Sequence, residues 1–250
     1  MGRTIGVISG KGGVGKTTLV ANISLALHEL GENIIAIDGN IGTANLSLHF
    51  GMVHFPKTLN EVLEGNASLN EAVYTHTSGL RIVPSSLAIK QSGASGRKLK
   101  DFLSSLEGIN IVDSSPGLHD QSMEVINACD EIILIATPEI SSLTDAMKVL
   151  AVAKNQNKKI IGTVLNRVRG KKYEFSKDEV EEALGIPVIG TVPEEGKMRE
   201  SAFNGIPIII YNPHSKASIE FRRIASSIAG KEFIAPRFAW LKRILWSGSI

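Results

Sequence analysis

Residues 9–18 of the chain read Ser9-Gly10-Lys11-Gly12-Gly13-Val14-Gly15-Lys16-Thr17-Thr18. The run contains the Gly-x-x-x-x-Gly-Lys-Thr pattern of a phosphate-binding loop. Its glycines let successive backbone N–H groups curl around a polyphosphate, Lys16 adds positive charge at the β and γ phosphates, and the Thr17 hydroxyl is a ligand for Mg²⁺. A short apolar strand pattern over 4–8 precedes the loop, and a helix-period pattern over 17–30 follows it. The sequence therefore predicts a helix whose positive N-terminal end faces a nucleoside triphosphate.

Short runs rich in valine and isoleucine recur along the chain, separated by segments of helix length. This alternation is typical of the α/β class, with a mostly parallel, twisted β-sheet covered by helices on both faces. Further helices are predicted over 142–155, where Ser142-Leu143-Thr144-Asp145 reads as a capping box, and over 177–184 and 215–229. The later strands are predicted at 34–37, 80–83, 109–112, 131–135, 159–165 and 188–192. Spacing alone does not reveal their order in the sheet.

Ligands of such sheets bind at the carboxyl ends of the strands. Five positions are predicted to follow a strand directly: Gly10, Asp38, Asp113, Pro138 and Asn166. Asp113 is the candidate for the Walker B carboxylate that holds hydrated Mg²⁺ beside Thr17. Asp38 has the same placement and is a second candidate ligand of the metal. Either aspartate could instead simply begin a turn.

The composition predicts one domain followed by a basic tail. A chain of 250 residues with 43 % hydrophobic residues can bury one large core, and nothing in it resembles a long linker. We assign the domain to residues 1–230 and the tail to residues 231–250. The tail has one acidic residue, Glu232, and four basic residues, Lys231, Arg237, Lys242 and Arg243.

Several function classes are disfavoured by the composition. No apolar run reaches the about 18 residues that cross a bilayer, and Met1-Gly2-Arg3 does not begin a signal peptide, so we expect a cytoplasmic chain. Cys129 is the single cysteine, which excludes an internal disulfide framework and the paired cysteines of an iron–sulfur carrier. The six histidines show neither metal-ligand spacing nor a Ser/His/Asp grouping.

A second lysine, Lys11, opens the phosphate loop. With Lys16 it makes the sequence Lys-Gly-Gly-Val-Gly-Lys-Thr-Thr, which resembles the deviant Walker loop of the MinD and ParA ATPases. That resemblance implies a P-loop NTPase fold, ATP and Mg²⁺ as ligands, and an ATP-bound sandwich dimer in which Lys11 reaches the phosphates of the partner subunit. This arrangement is chemically reasonable, because the Lys11 ammonium group at the start of the loop lies too far around the turn to contact the γ phosphate of the nucleotide in its own subunit well. The alternative is an ordinary solvated lysine.

The resemblance to MinD extends over nearly the whole chain. The segment that begins at Pro138 is specific to MinD-like proteins within the superfamily, so MinD is favoured over a plain ParA. The matching segments are Gly42-Thr43-Ala44-Asn45-Leu46, Pro138-Glu139-Ile140-Ser141-Ser142-Leu143-Thr144-Asp145-Ala146, Val164-Leu165-Asn166-Arg167, Val192-Pro193-Glu194-Glu195, Arg199-Glu200 and Gly205-Ile206-Pro207.

By that resemblance, Asn166 with Arg167 reads the adenine, and Pro193 with Glu194 lines the base pocket. An asparagine amide can meet the amino group and a ring nitrogen of adenine together, which is the chemical reason for this assignment. The full nucleotide site then comprises these four residues and loop residues Gly10, Lys11, Gly12, Gly13, Val14, Gly15, Lys16, Thr17 and Thr18. The expected catalytic residues are Lys11, Lys16, Asp38 and Asn40, and the expected metal ligands are Thr17, Asp38 and Asp113.

Two positions depart from the family beside the γ phosphate. The usual Asp-x-Asp-x-Gly segment reads Asp38-Gly39-Asn40-Ile41-Gly42 here, so an amide at Asn40 replaces the carboxylate that orients the attacking water. After Asp113 the chain reads Ser114-Ser115-Pro116-Gly117, with its proline one residue later than usual. An amide can accept a hydrogen bond from water but cannot take its proton. We therefore expect ATP to bind and to be hydrolysed slowly or not at all, unless the water is held in another way.

The C-terminal segment 237–246 predicts an amphipathic helix. One arc of its helical wheel carries Phe238, Trp240, Leu241, Ile244 and Leu245, with Lys242, Arg243 and Trp246 turned away or at the border. Such a stripe beside cations and tryptophan suits the surface of an anionic bilayer, and it resembles the membrane-targeting helix of MinD. The alternative is that the stripe packs on the protein's own core.

These observations predict a MinD-like, ATP-dependent dimerisation switch, peripheral on the inner face of the cell membrane, that acts in spatial positioning such as division-site placement. The expected protein partner is of the MinC or MinE type or another positioning protein. A ParA-like partition protein that coats DNA is the alternative, with the basic run Arg169, Lys171, Lys172 and Lys177 as its contact, although an ordinary solvated loop is favoured there. An ATP-binding scaffold with little hydrolysis is a third possibility.

Overall fold

The computed structural model describes residues 2–41, 44–86 and 96–235. Its described part contains an eight-stranded sheet in the order β3-β4-β2-β5-β1-β6-β7-β8. Every neighbouring pair is parallel except β3 and β4, which are antiparallel. The strands are β1 (Arg3–Ile8), β2 (Ile34–Asp38), β3 (Tyr74–Thr75), β4 (Arg81–Val83), β5 (Ile109–Asp113), β6 (Glu131–Ala136), β7 (Lys159–Val168) and β8 (Val188–Pro193).

Helices cover both faces of this sheet. They are α1 (Lys16–Glu29), α2 (Leu59–Glu64), α3 (Leu69–Ala72), α4 (Gly96–Ser104), α5 (Asp120–Ala128), α6 (Ile140–Asn155), α7 (Lys177–Leu184), α8 (Gly196–Phe203), α9 (Ile208–Tyr211) and α10 (Lys216–Ala229), with a 3₁₀ helix at Ser47–Phe50. Among the residues of the three described ranges, no helix combines the length and apolar character needed to cross a bilayer.

The core has two layers because successive side chains of a strand point to opposite faces. In β6, Ile133 and Ile135 join the layer that also includes α1, α9 and α10. Their neighbours Ile132 and Leu134 join the other layer, against α2, α4, α5, α6 and α7. All four side chains are almost fully buried. The prediction of a mostly parallel α/β sheet with helices on both faces is confirmed.

Most predicted elements are present with ends shifted by one to three residues, and helix α7 has the predicted bounds. The start of α6 was predicted wrongly: the helix begins at Ile140, not at Ser142, and Glu139 is its N-cap. Ser142 does not cap it, because its hydroxyl accepts a hydrogen bond from the Thr137 N–H at 2.9 Å. Asn166 was also placed wrongly just after a strand, since β7 continues to Val168. The short antiparallel edge strand β3 was missed.

The sheet order brings the predicted site residues together. Strand β5 lies between β1 and β2, and Asp113 is in register with Val7 on one side and with Asp38 on the other. Both aspartates end their strands next to the loop that leaves β1. Strands β7 and β8 end nearby, with Val168 opposite Pro193.

Candidate functional site

The phosphate loop joins β1 to α1 through glycines that adopt left-handed backbone conformations. Gly13 has φ 76° and Gly15 has φ 95°, and Gly15 is the N-cap of α1. Side chains rarely tolerate such angles, so glycine is required there. A Cβ at Gly15 would also overlap Nδ2 of Asn166. The loop therefore keeps its curvature and its close contact with β7 only while position 15 is glycine.

The two lysines of the loop differ in their surroundings. Lys16, the first residue of α1, is buried with 8 % of its surface exposed. Lys11 is exposed, and its Nζ donates to Oγ of Ser141 in α6 at 3.3 Å. Gly10 lies directly against α6, since a Cβ there would be 2.5 Å from the backbone of Asp145. The packing of the loop on α6 thus leaves Lys11 at the rim of the site and Lys16 inside it.

The Walker B candidate Asp113 is hydrogen-bonded to the loop. The Thr17 hydroxyl donates to Oδ2 of Asp113 at 2.6 Å, and burial raises the pKa of the Asp113 carboxyl although the nearby Lys16 opposes this. Within the described part of the chain, Oδ1 of Asp113 is buried without a hydrogen-bond partner. A hydroxyl beside a carboxylate with an unused oxygen fits the oxygen ligands that hydrated Mg²⁺ prefers.

Asp38, the other expected metal ligand, has three backbone partners in this structure. Its Oδ1 accepts from the N–H of Asn40 at 3.1 Å, and its Oδ2 accepts from the N–H groups of Asn45 and Leu46 at 2.9 and 3.0 Å. Burial, followed by the negative charge of Asp113, raises the pKa of Asp38 to about 7. Asp38 therefore anchors the segment 38–50, of which residues 42 and 43 lie outside the described residues. Asn40 is itself buried in this segment, with 5 % exposed.

The segment after Asp113 packs against the loop. Ser114 Oγ donates to the Val7 carbonyl at 2.9 Å, and the Gly117 N–H donates to the Ser9 carbonyl at 2.9 Å. Pro116 faces Gly12, where a Cβ would lie 3.8 Å from the proline ring. The shifted proline therefore borders the phosphate loop, as expected from the sequence.

The four residues predicted to hold the base meet in one cleft. Asn166, Arg167, Pro193 and Glu194 line it together with Gly15 and Thr18 of the loop. Nδ2 of Asn166 donates to the Val14 carbonyl at 2.6 Å, which leaves its second N–H and its oxygen for other partners. Sequence reasoning missed the wall that α8 provides: Met198, Arg199 and Ala202 also line the cleft. The Arg199-Glu200 match to MinD was the available signal.

A second cleft adjoins the first and lies over the phosphate loop. It shares Gly15, Thr18, Arg167 and Ala202 with the base cleft, and Gly13, Lys16 and Thr17 also line it. Its remaining wall comes from Asn45, Leu48 and His49. His49 has no metal-ligand or triad spacing in the sequence, so only the fold reveals its place in this cleft.

The basic run after β7 is partly paired with carboxylates. Nε of Arg169 contacts Glu194, and Nζ of Lys177 lies 3.7 Å from Oε1 of Glu181. Arg169 also lowers the pKa of Glu194. These pairings agree with the favoured interpretation of a solvated loop.

Comparison with known proteins decides the family. A family model named ParA and described as "NUBPL iron-transfer P-loop NTPase" matches residues 1–229. The chain belongs to the ParA family of P-loop NTPases. This confirms the resemblance to the deviant Walker ATPases that the loop predicts.

Three relatives of this ParA-family chain are especially similar. An uncharacterized ATP-binding protein of Methanocaldococcus jannaschii is 35% identical over 94% of this chain and 90% of that protein. The cell division ATPase MinD of Pyrococcus furiosus has a TM-score of 0.86 and 35% identity, covering 92% of this chain and 99% of its own. The septum site-determining protein MinD of Pyrococcus horikoshii, complexed with Mg-ADP, has a TM-score of 0.85 and 36% identity, covering 91% of this chain and 96% of its own.

The raised pKa of Asp38 predicts that the nucleotide-free protein loses stability as the pH rises. Between about pH 4 and 7 the unfolded carboxyl ionises while the buried one keeps its proton, so the folded state binds more protons and the free energy of unfolding falls. One such group contributes at most about 1.4 kcal/mol per pH unit. Urea unfolding at pH 5, 6, 7 and 8 should show this fall, and Asp38→Asn should reduce it.

Asp178→Asn, at an exposed carboxylate in the first turn of α7, is the control and should leave the slope unchanged. If the free energy of unfolding depended on pH equally in wild type and in Asp38→Asn, the raised pKa of Asp38 would be contradicted.

Proposed function

We propose that this chain is an ATP-dependent dimerisation switch of the MinD type, which binds Mg²⁺-ATP and hydrolyses it to ADP and phosphate. The observation that carries the proposal is the separation of the two loop lysines: Lys16 is buried at the start of α1, and Lys11 is exposed at the rim of the site. A buried cation suits the phosphates of its own nucleotide, whereas an exposed one suits an anion brought by a second copy of the chain.

Adenine nucleotide and Mg²⁺ are supported by the chemistry of the clefts and by the relatives. Thr17 and Asp113 offer the metal a hydroxyl and a carboxylate, and Asn166 offers the base an amide beside Arg167 and Pro193. The similar Pyrococcus horikoshii protein is complexed with Mg-ADP. Iron transfer, which the family model's description mentions, is not part of this proposal, because Cys129 is the single cysteine and is fully buried.

The biological role in this proposal is spatial positioning on the inner face of the cell membrane, such as placement of the division site. The similar solved structures named for cell division and for septum-site determination support it. The tail residues 237–246, which would contact the membrane, lie outside the described residues. A partner of the MinC or MinE type belongs to the same proposal, and DNA binding is disfavoured by the carboxylate partners of Arg169 and Lys177.

The first test separates the two lysines. Lys16→Ala should abolish binding of Mg²⁺-ATP because it removes the buried charge at the phosphates. Lys11→Ala should keep binding within about threefold and lose the ATP-dependent dimer. Fluorescent nucleotide titration and multi-angle light scattering with ATP measure the two properties. Lys154→Ala, at an exposed lysine at the other end of α6, is the matched control. A Lys11→Ala chain that still dimerises would refute the role across the dimer.

The second test concerns Asn40. If it occupies the place of the family's water-orienting aspartate, the wild type should hydrolyse ATP slowly, and Asn40→Asp should raise phosphate release tenfold or more. A carboxylate that serves as a base contributes about 10² to 10⁴-fold, and one that only orients the water contributes less. Affinity for ATP should stay or fall slightly, because a new buried carboxylate joins Asp38 and Asp113. Lys16→Ala sets the background rate. Equal rates in a variant that still dimerises would mean that Asn40 is not the cause of slow ATP hydrolysis.

The third test concerns the tail. With ATP, the full chain should co-sediment with anionic liposomes, and a chain ending before Phe238 should stay in the supernatant. Trp240→Glu should also release the protein without lowering its melting temperature, since a charge in the apolar arc opposes insertion. Trp246→Glu, the same change off that arc, should retain most of the binding. A loss of several degrees of stability in Trp240→Glu would indicate that the tail packs on the domain.

A further inference from the structure

His49 makes two contacts that join the phosphate loop to the segment 38–50. Its Nδ1 lies 3.1 Å from the carbonyl oxygen of Asn45, and its Nε2 lies 3.3 Å from Oγ1 of Thr18 in the first turn of α1. Asn45 is also one of the residues whose N–H donates to Asp38. The half-buried imidazole therefore spans the cleft wall between α1 and the segment that Asp38 anchors.

These partners determine which nitrogen of the ring carries the proton. A carbonyl oxygen only accepts hydrogen bonds, so Nδ1 of His49 must carry a proton and donate it to Asn45. In the neutral ring Nε2 is then an acceptor, and the Thr18 hydroxyl donates to it. The hydroxyl has a single proton, which is therefore directed toward His49.

A bound nucleotide competes for this proton. Thr18 lines both the base cleft and the cleft over the loop, at the end of α1 where a phosphate is expected. A charged phosphate oxygen is a stronger acceptor than a neutral imidazole nitrogen. When the hydroxyl turns to the phosphate, its oxygen and Nε2 of the neutral ring face each other with lone pairs, and the neutral ring must give up its contact with Thr18 or with Asn45.

We propose that His49 is a positioning residue that holds the Thr18 hydroxyl away from the phosphates in the nucleotide-free chain, and that nucleotide binding breaks this contact and releases the ring. The segment 38–50, which carries Asp38 and Asn40, then responds to occupancy of the site through Asn45. This inference rests on the proposed nucleotide site.

The first readout is the tautomer of the His49 ring, observed by long-range ¹H–¹⁵N NMR on the full chain at pH 8. His49 should be protonated at Nδ1. His76 is an internal reference with the opposite tautomer, because its Nδ1 accepts from the Ser78 N–H at 3.1 Å. Mg-ADP should change the Nε2 signal of His49 and leave that of His76 unchanged.

The second readout is affinity for Mg-ADP in a double-mutant cycle. His49→Asn retains an amide N–H close to the position of Nδ1 but cannot reach Thr18. Because the nucleotide no longer has to break that hydrogen bond, binding should tighten about threefold to tenfold, the value of one hydrogen bond. In the Thr18→Val background the same change at position 49 should alter affinity less than about twofold. If His49 had only a structural role, His49→Asn would weaken the binding of Mg-ADP instead.

The outcomes distinguish the inference from the function on which it rests. A wild-type chain that does not bind Mg-ADP overturns both. A chain that binds Mg-ADP while the His49 signals stay unchanged, or while His49→Asn weakens binding, overturns the role of His49 and leaves the nucleotide site standing. A tautomer protonated at Nε2 in the nucleotide-free chain also overturns it.

Discussion

The hydrogen bond from Asn166 to the Val14 carbonyl is the contact on which the architecture of the site depends. At 2.6 Å it joins the phosphate loop to β7, two strands away from β1 in the sheet. The contact is possible only because Gly15 has no side chain, since a Cβ there would overlap the Asn166 amide. One amide therefore fixes the distance between the phosphate end and the base end of the site.

Buried carboxylates at the ends of β2 and β5 add the electrostatic constraint. Asp38 and Asp113 are in register on neighbouring strands, and both are fully buried. Burial raises the pKa of both carboxyls, the negative charge of Asp113 raises that of Asp38 further, and Lys16 and Thr17 only partly offset the effect of burial at Asp113. Mg²⁺ would stabilise the charged forms of both carboxyls, which burial disfavours, so the site is electrostatically suited to a cation.

Side chains outside the loop connect these charges to the segment that follows β2. Asp38 accepts hydrogen bonds from three backbone N–H groups of that segment. His49, near the other end of the segment, contacts the Thr18 hydroxyl at the start of α1. The segment is thus held at one end by a carboxylate beside the expected metal and at the other by an imidazole beside the expected phosphates. Asn40, one of the two positions that depart from the family, lies in this segment, and its N–H donates to Asp38.

The sequence by itself determined the class of the fold, the phosphate loop and most strand positions, because hydrophobic period and glycine spacing are local properties of the chain. The resemblance to MinD, rather than any local pattern, singled out Asn166, Arg167, Pro193 and Glu194, which line one cleft in the structure. The sequence pattern misplaced the start of α6, since Ser142 binds the Thr137 N–H instead of capping the helix. Only the tertiary structure decided the strand order, the partners of Asp38, the walls from α8 and the bridge made by His49, because these depend on contacts between residues far apart in the chain.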